Sequence, residues 1–148
     1  MEKTCVIIKP DGVCKKVSGE IISKLYSQGL KLIALKMIVP SRKTMEEFYG
    51  VHKDKDFFKP LIDFICSAPL IAMVWEDENA VAKVRSIAGA TNPKEASAET
   101  LRRIFGTNNR KNAVHASDSA ENALKEISIL FKSEEIAQYD YSDWEKFN

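Results

Sequence analysis

Four short apolar runs, separated by stretches with a helical stripe, constrain this chain most. Cys5-Val6-Ile7-Ile8, Leu30 to Val39, Leu70 to Trp75 and Asn112 to Ala116 have strand length and read as buried or half-buried strands. Between them, Ile21, Ile22, Leu25 and Tyr26 precede Gly29, and Ala80, Val81, Val84, Ile87 and Ala88 precede Gly89. Each set marks one helix face with a glycine stop. Ser41 to Tyr49 predicts a short helix with Thr44 and Glu47 as a capping box, and Pro60 opens another through Leu61, Ile62, Phe64 and Ile65. The acids at 76–78 suit a helix start, and Asp118 with Glu121 caps a last helix carrying Ala123, Leu124, Ile127 and Leu130. Lys9-Pro10-Asp11-Gly12 reads as a turn. Residues 89–111 form a long irregular insert with one helical turn near Thr100 to Phe105, and such inserts are often functional.

The order is therefore β-α-β-(αα)-β-α-(loop)-β-α. It fits an α+β, ferredoxin-like β-α-β-β-α-β plan, an antiparallel sheet with helices packed on one face. A length of 148 residues predicts a single domain over 1–148, large enough to bury about 68–70% of its unfolded surface. The aromatic, polar tail from Tyr139 onward is expected to wrap the surface.

Composition narrows the function classes. Lys plus Arg number 22 and Asp plus Glu 21, a net charge of +1, which excludes a strongly basic nucleic-acid coat but leaves room for a local basic pocket. Cys5, Cys14 and Cys66 are odd in number and have no C-x-x-C spacing. With only His52 and His115 beside them, they read as free thiols in a reducing compartment and not as zinc ligands. The N-terminal apolar run is too short for a signal peptide or a membrane span. A cytoplasmic protein is the expectation.

The six glycines make neither G-x-G-x-x-G nor G-x-x-x-x-G-K-[ST]. If this chain handles a nucleotide, side chains must hold the phosphates, and the arginine fork suits that task. The most informative segment is Asn112-Ala113-Val114-His115-Ala116-Ser117-Asp118-Ser119, where a histidine stands between a strand and a capped helix. Neutral imidazole can attack phosphorus without first losing a proton, and a nearby carboxylate or hydroxyl can fix its tautomer. The residues alone leave this reading open beside a purely structural histidine. His52, in a charged run, reads as solvated.

That segment, with Lys9-Pro10-Asp11 after strand one, resembles the nucleoside diphosphate kinase family. The resemblance runs in order through Tyr49, Phe57-Phe58, Leu61, Arg85, Gly89-Ala90-Thr91-Asn92-Pro93, Thr100-Leu101-Arg102 and Glu126. It implies ping-pong transfer of a terminal phosphate from a nucleoside triphosphate to a nucleoside diphosphate, with His115 phosphorylated on Nδ1 as the intermediate. Tyr49, Ser117 and Glu126 would orient or tune the histidine. Arg85 and Thr91 would bind the outer phosphates and Arg102 the one in transit. Lys9 and Asn112 would reach the ribose hydroxyls and the terminal bridging oxygen. Phe57 would stack on the base over Leu61, with little base selectivity because stacking reads a π-face.

The resemblance further implies Mg²⁺ held by phosphate oxygens and water, and a homo-oligomer, hexamer or tetramer, needing no membrane or nucleic acid. Some positions depart from the family pattern: Phe48 for a histidine, Asp56 for a proline, Ala98-Glu99 for Pro-Gly, Arg103 for a glycine, and Ala116 for a glycine. Glu99 could add negative charge beside the phosphates, and Arg103 could reach the phosphate assigned to Arg102. A non-catalytic nucleotide- or RNA-binding module and an inactive relative are the rival readings. The retained His115, Lys9 and arginines argue against the second.

Overall fold

The computed structural model describes residues 1–147. In chain order the elements are β1 (Glu2–Ile8), α1 (Pro10–Cys14), α2 (Ser18–Ser27), β2 (Lys31–Ile38), α3 (Arg42–Phe48), α4 (Phe58–Ile65), β3 (Leu70–Asp77), α5 (Ala80–Ala88), α6 (Leu101–Phe105), β4 (Val114–Ala116) and α7 (Ala120–Leu130). All strand pairings are antiparallel, in the spatial order β2-β3-β1-β4. This is the ferredoxin-like α+β arrangement that the element order implied.

The helices, however, cover both faces of the sheet, not one. Cys5, Ile7, Ala72 and Val74 pack with Met45, Ile62, Ile65 and Ile127 on one side. Val6, Ile8, Met73 and Trp75 pack with Ile21, Leu25, Val84 and Ala88 on the other. The reason lies in β1 and β3 themselves: their central residues are apolar at consecutive positions, so neither face can be left to water. The outer strand β2 is different. Leu35 and Met37 stay exposed, and the tail lies along its start, where the Ala137 N–H donates to the Ile33 carbonyl at 2.8 Å.

Several element ends differ from expectation, each for a local reason. Pro10 takes the first helical position of α1, so the expected turn is a short helix. Ser41 caps α3 by accepting the Thr44 N–H at 3.1 Å, in place of the Thr44–Glu47 box. Glu76 and Asp77 extend β3 and do not open α5. Glu76 stands opposite Lys3 on one side and Lys31 on the other, and such cross-strand charge pairs favour the ladder. Ser119, not Asp118, caps α7 through the Asn122 N–H at 3.1 Å. α4 starts at Phe58, two residues before Pro60.

Candidate active site

β4 decides where the chemistry can sit. It pairs with β1 so that His115 lies opposite Ile7. Residues opposite each other in an antiparallel pair share a face, and Ile7 belongs to the α3–α4–α7 side. Val114 and Ala116 pack into the other core, which turns His115 toward α3 and α7. Residues Asn122, Lys125, Glu126 and Ile129 of α7 line the same cleft as His115, at the 3–4 residue spacing of one helix face. Ala123, Ile127 and Leu130 on the adjoining face are buried.

At the cleft wall, His115 Nε2 is 2.9 Å from Glu126 Oε1. The Ser117 hydroxyl donates to the same carboxylate oxygen at 2.7 Å, and the Cys5 N–H donates to the Ser117 oxygen at 3.1 Å. A carboxylate can only accept, so Nε2 carries the proton and Nδ1 keeps a lone pair in neutral His115. Phe48 and Tyr49 meet the imidazole edge-on, with centroids at 4.9 and 5.9 Å. Burial, then Glu126, pushes the Tyr49 phenol far above its usual range, so it stays protonated. Burial likewise raises the Cys5 thiol.

The cleft, about 1170 Å³, is lined by Lys9, Tyr49, Phe57, Leu61, Arg85, Thr91, Arg102, Asn112, His115 and Glu126, among others. Every residue to which the resemblance assigned a role is thus brought together here except Ser117, which is fully buried behind Glu126. Lys9 Nζ donates to Asn112 Oδ1 at 2.9 Å and to the Arg110 carbonyl at 3.3 Å. Burial and then Arg102 hold its ammonium down to about 8, with Asp11 opposing them. The Asn112 amide in turn donates to the Thr91 and Asn109 carbonyls at 3.0 and 3.2 Å. Arg102 donates to the Gly89 and Val114 carbonyls at 2.8 and 3.0 Å, so it ties α5 and β4 to the floor of the cleft. Burial and Arg85 both oppose its charge, a field that an anion would relieve. Phe57 is 45% exposed at the mouth, above buried Leu61.

The cleft is cationic and rimmed by aromatics around an oriented histidine, and comparison decides the family. The nucleoside diphosphate kinase family profile matches residues 2–136. The chain belongs to the nucleoside diphosphate kinase family. The nucleoside diphosphate kinase of Campylobacter concisus is 52% identical over 136 residues, covering 92% of this chain and 99% of that protein. That of Persephonella marina is 46% identical over 138 residues, 93% of this chain and 99% of that protein. The solved structure of a nucleoside diphosphate kinase family protein from Babesia bovis superposes with a TM-score of 0.92 at 42% identity, covering 96% of each chain. A halophilic nucleoside diphosphate kinase from Halobacterium salinarum, solved in complex with CDP, gives 0.92 at 34% identity and 99% of each.

Within this nucleoside diphosphate kinase, three sequence expectations need correction. His52 is not simply solvated: it lines the cleft, its ring centroid 5.2 Å from that of Phe57. Arg103 does not reach for the cleft, because its guanidinium donates to the Lys94 carbonyl at 2.8 Å. Glu99, the feared extra charge, is not among the lining residues. Lys94, Arg110 and Lys125 do line it. No motif spacing announces these three, since surface lysines and arginines are common everywhere.

Proposed function

We propose that this nucleoside diphosphate kinase moves the terminal phosphoryl group from a nucleoside triphosphate to a nucleoside diphosphate through phosphorylated His115. In the first half-reaction the Nδ1 lone pair attacks the terminal phosphorus. A P–N bond forms as the bond from phosphorus to the bridging oxygen breaks, and the diphosphate leaves with that electron pair. In the second, a terminal oxygen of another nucleoside diphosphate attacks phosphorus and histidine leaves. The observation that carries this reading is the single carboxylate oxygen of Glu126, shared by His115 Nε2 and the Ser117 hydroxyl. It occupies one imidazole nitrogen, steadies the positive charge that the ring acquires, and leaves the other nitrogen as the nucleophile.

In this reading Arg102, Arg85 and Thr91 take the phosphates, and Lys9 with Asn112 takes the ribose hydroxyls and bridging oxygen. Phosphoryl transfer depends on such placement of positive charge more than on covalent help from the protein. Phe57 and Leu61 hold the base by stacking and apolar contact, which supports low base selectivity. The Halobacterium relative's complex with CDP suits a diphosphate acceptor. For Mg²⁺, the lining carries the carboxylates of Glu47, Asp118 and Glu126 among its lysines and arginines; Glu126 is engaged by His115 and Ser117, and among the described residues no three His, Cys, Asp or Glu side chains group to hold a metal. That donor set fits a metal carried by phosphate oxygens and water; when bound, Mg²⁺ would neutralise part of the phosphate charge.

We further take the chain to work as one domain over 1–148, in a homo-oligomer (hexamer or tetramer) in the cytoplasm. The free cysteines support a reducing compartment. Among the described residues no helix is long and apolar enough to cross a membrane. The test is incubation with terminally labelled ATP and Mg²⁺. Wild type should retain an acid-labile, base-stable phosphate and release it to added nucleoside diphosphate, and His115→Ala, folded, should do neither. Label retained by His115→Ala with wild-type turnover would refute the reading.

A further inference from the structure

Asp11 stands outside the groups assigned above to nucleotide or phosphorus, yet it is tied to them through the backbone. Pro10 starts α1 directly after β1, so Asp11 falls in the first helical turn. Its Oδ2 accepts the Ala113 N–H at 2.9 Å. Its Oδ1 is buried without a protein partner, an expensive arrangement that a mere surface acid would not adopt. Ala113 is fully buried and has a φ of +73°, a region that disfavours any residue with a Cβ. The Lys9 N–H holds the Ala113 carbonyl at 2.9 Å.

Ala113 is thus gripped at both its amide and its carbonyl. The grip is close: a Cβ on Gly12 would stand 3.1 Å from the Ala113 carbonyl oxygen. On one side of Ala113 is Asn112, whose side chain accepts from Lys9 Nζ. On the other, β4 begins at once and carries His115 two residues on. A change of backbone region at 113 would rotate both into new directions.

We propose that Asp11 is a positioning residue for phosphoryl transfer, holding Ala113 in its left-handed conformation and thereby setting both Asn112 and His115. The inference rests on the phosphohistidine reading above. Asp11 also supplies the one negative charge that favours protonated Lys9 against burial and Arg102.

Four variants test it: Asp11→Ala, Asp11→Asn, Ala113→Gly, and the Asp11→Ala/Ala113→Gly pair. Each is measured for single-turnover phosphorylation by labelled ATP with Mg²⁺ and for steady-state kcat and KM. Asp11→Ala, folded by circular dichroism, should lose about tenfold or more in kcat with a smaller change in KM, since misaimed groups damage the transition state most. Asp11→Asn keeps an acceptor oxygen and should stay within about threefold of wild type. Ala113→Gly alone should be near wild type. Added to Asp11→Ala it should restore most of the loss, because glycine adopts positive φ without strain.

Wild-type kcat in Asp11→Ala overturns the proposal, and so does a loss that glycine at 113 fails to recover. Should Asp11→Ala not fold, a folded Asp11→Asn with a tenfold loss overturns it as well, and a rate within threefold supports it. Absence of any phosphoenzyme in wild type would instead sink the phosphohistidine reading, so the two failures are separable.

Discussion

Glu126 Oε1 receives two donors at 2.9 and 2.7 Å, and removing its charge tests how far orientation matters to the nucleophile. Glu126→Gln should slow turnover without abolishing it, since one hydrogen bond involving a charged group is worth about 1.5–3 kcal/mol, or about 10–150-fold. An unchanged kcat in the folded variant would leave Glu126 a bystander. Arg102 and Phe57 make a sharper pair. Arg102→Ala should cut kcat by about 10²–10³, the scale for deleting one donor aimed at transition-state charge. The single variant reads Arg102 because Arg103 does not line the cleft. Phe57→Ala should raise KM with kcat nearly kept, because stacking of roughly 1–3 kcal/mol is felt equally in ground and transition states. Steady-state kinetics showing the reverse pattern would exchange the phosphate and base ends of the cleft.

At the scale of elements, the junction between α5 and α6 turns on Gly89. Its φ is +85° with ψ near −178°, a region essentially restricted to glycine, and an added Cβ would stand 2.4 Å from Thr100 Oγ1. Gly89→Ala should therefore cost about 1–3 kcal/mol or more in stability, read as a lower urea midpoint at unchanged m-value. A midpoint equal to wild type would show that this junction relaxes freely. The glycine itself was legible as a helix stop, but its contact with Thr100 was not. The same division runs through the molecule. Runs such as Cys5–Ile8 and stripes such as Ala80–Ala88 announce their elements because burial demands their periodicity. Which of two neighbouring polar residues caps a helix does not show, as with Ser119 over Asp118, because both side chains offer an oxygen acceptor. The two-sided burial of β1 was written in its unbroken apolar run, although one covered face was expected. In the cleft, the motif residues around His115 were readable. His52 and Lys94 were not, since what matters about them is which distant ring or side chain the fold sets beside them; outside the cleft, Asp11 stood in a motif, but its bond to the Ala113 N–H did not show.

For the molecule as a whole, burial of Lys9 links the cleft to overall stability. Its folded-state value near 8, against 10.5 for an ordinary lysine, means that below pH 8 both states hold the proton and the folded state bears the full penalty, about 3 kcal/mol. Between about pH 8 and 10.5 the folded protein sheds that proton while the unfolded chain keeps it, so this contribution to stability improves as pH rises. Cys5 and Tyr49, both raised by burial, act oppositely once the unfolded thiol and phenol ionise. A difference measurement isolates the lysine: the stability of Lys9→Met relative to wild type should be highest near pH 7 and fall by pH 10 in urea titrations. A constant gap would refute the assignment. The hydrogen bonds that assemble the cleft also span most of the chain, Lys9 to Asn112 and Cys5 to Ser117. During synthesis, at about 5–20 residues per second, β1, β2 and β3 emerge well before β4, with β3 complete at Asp77. His115 joins a sheet whose other three strands are already synthesised. On the phosphohistidine reading the chain thus gains its nucleophile with the last strand and Glu126 only after it, on α7, so activity reports that the sheet is complete.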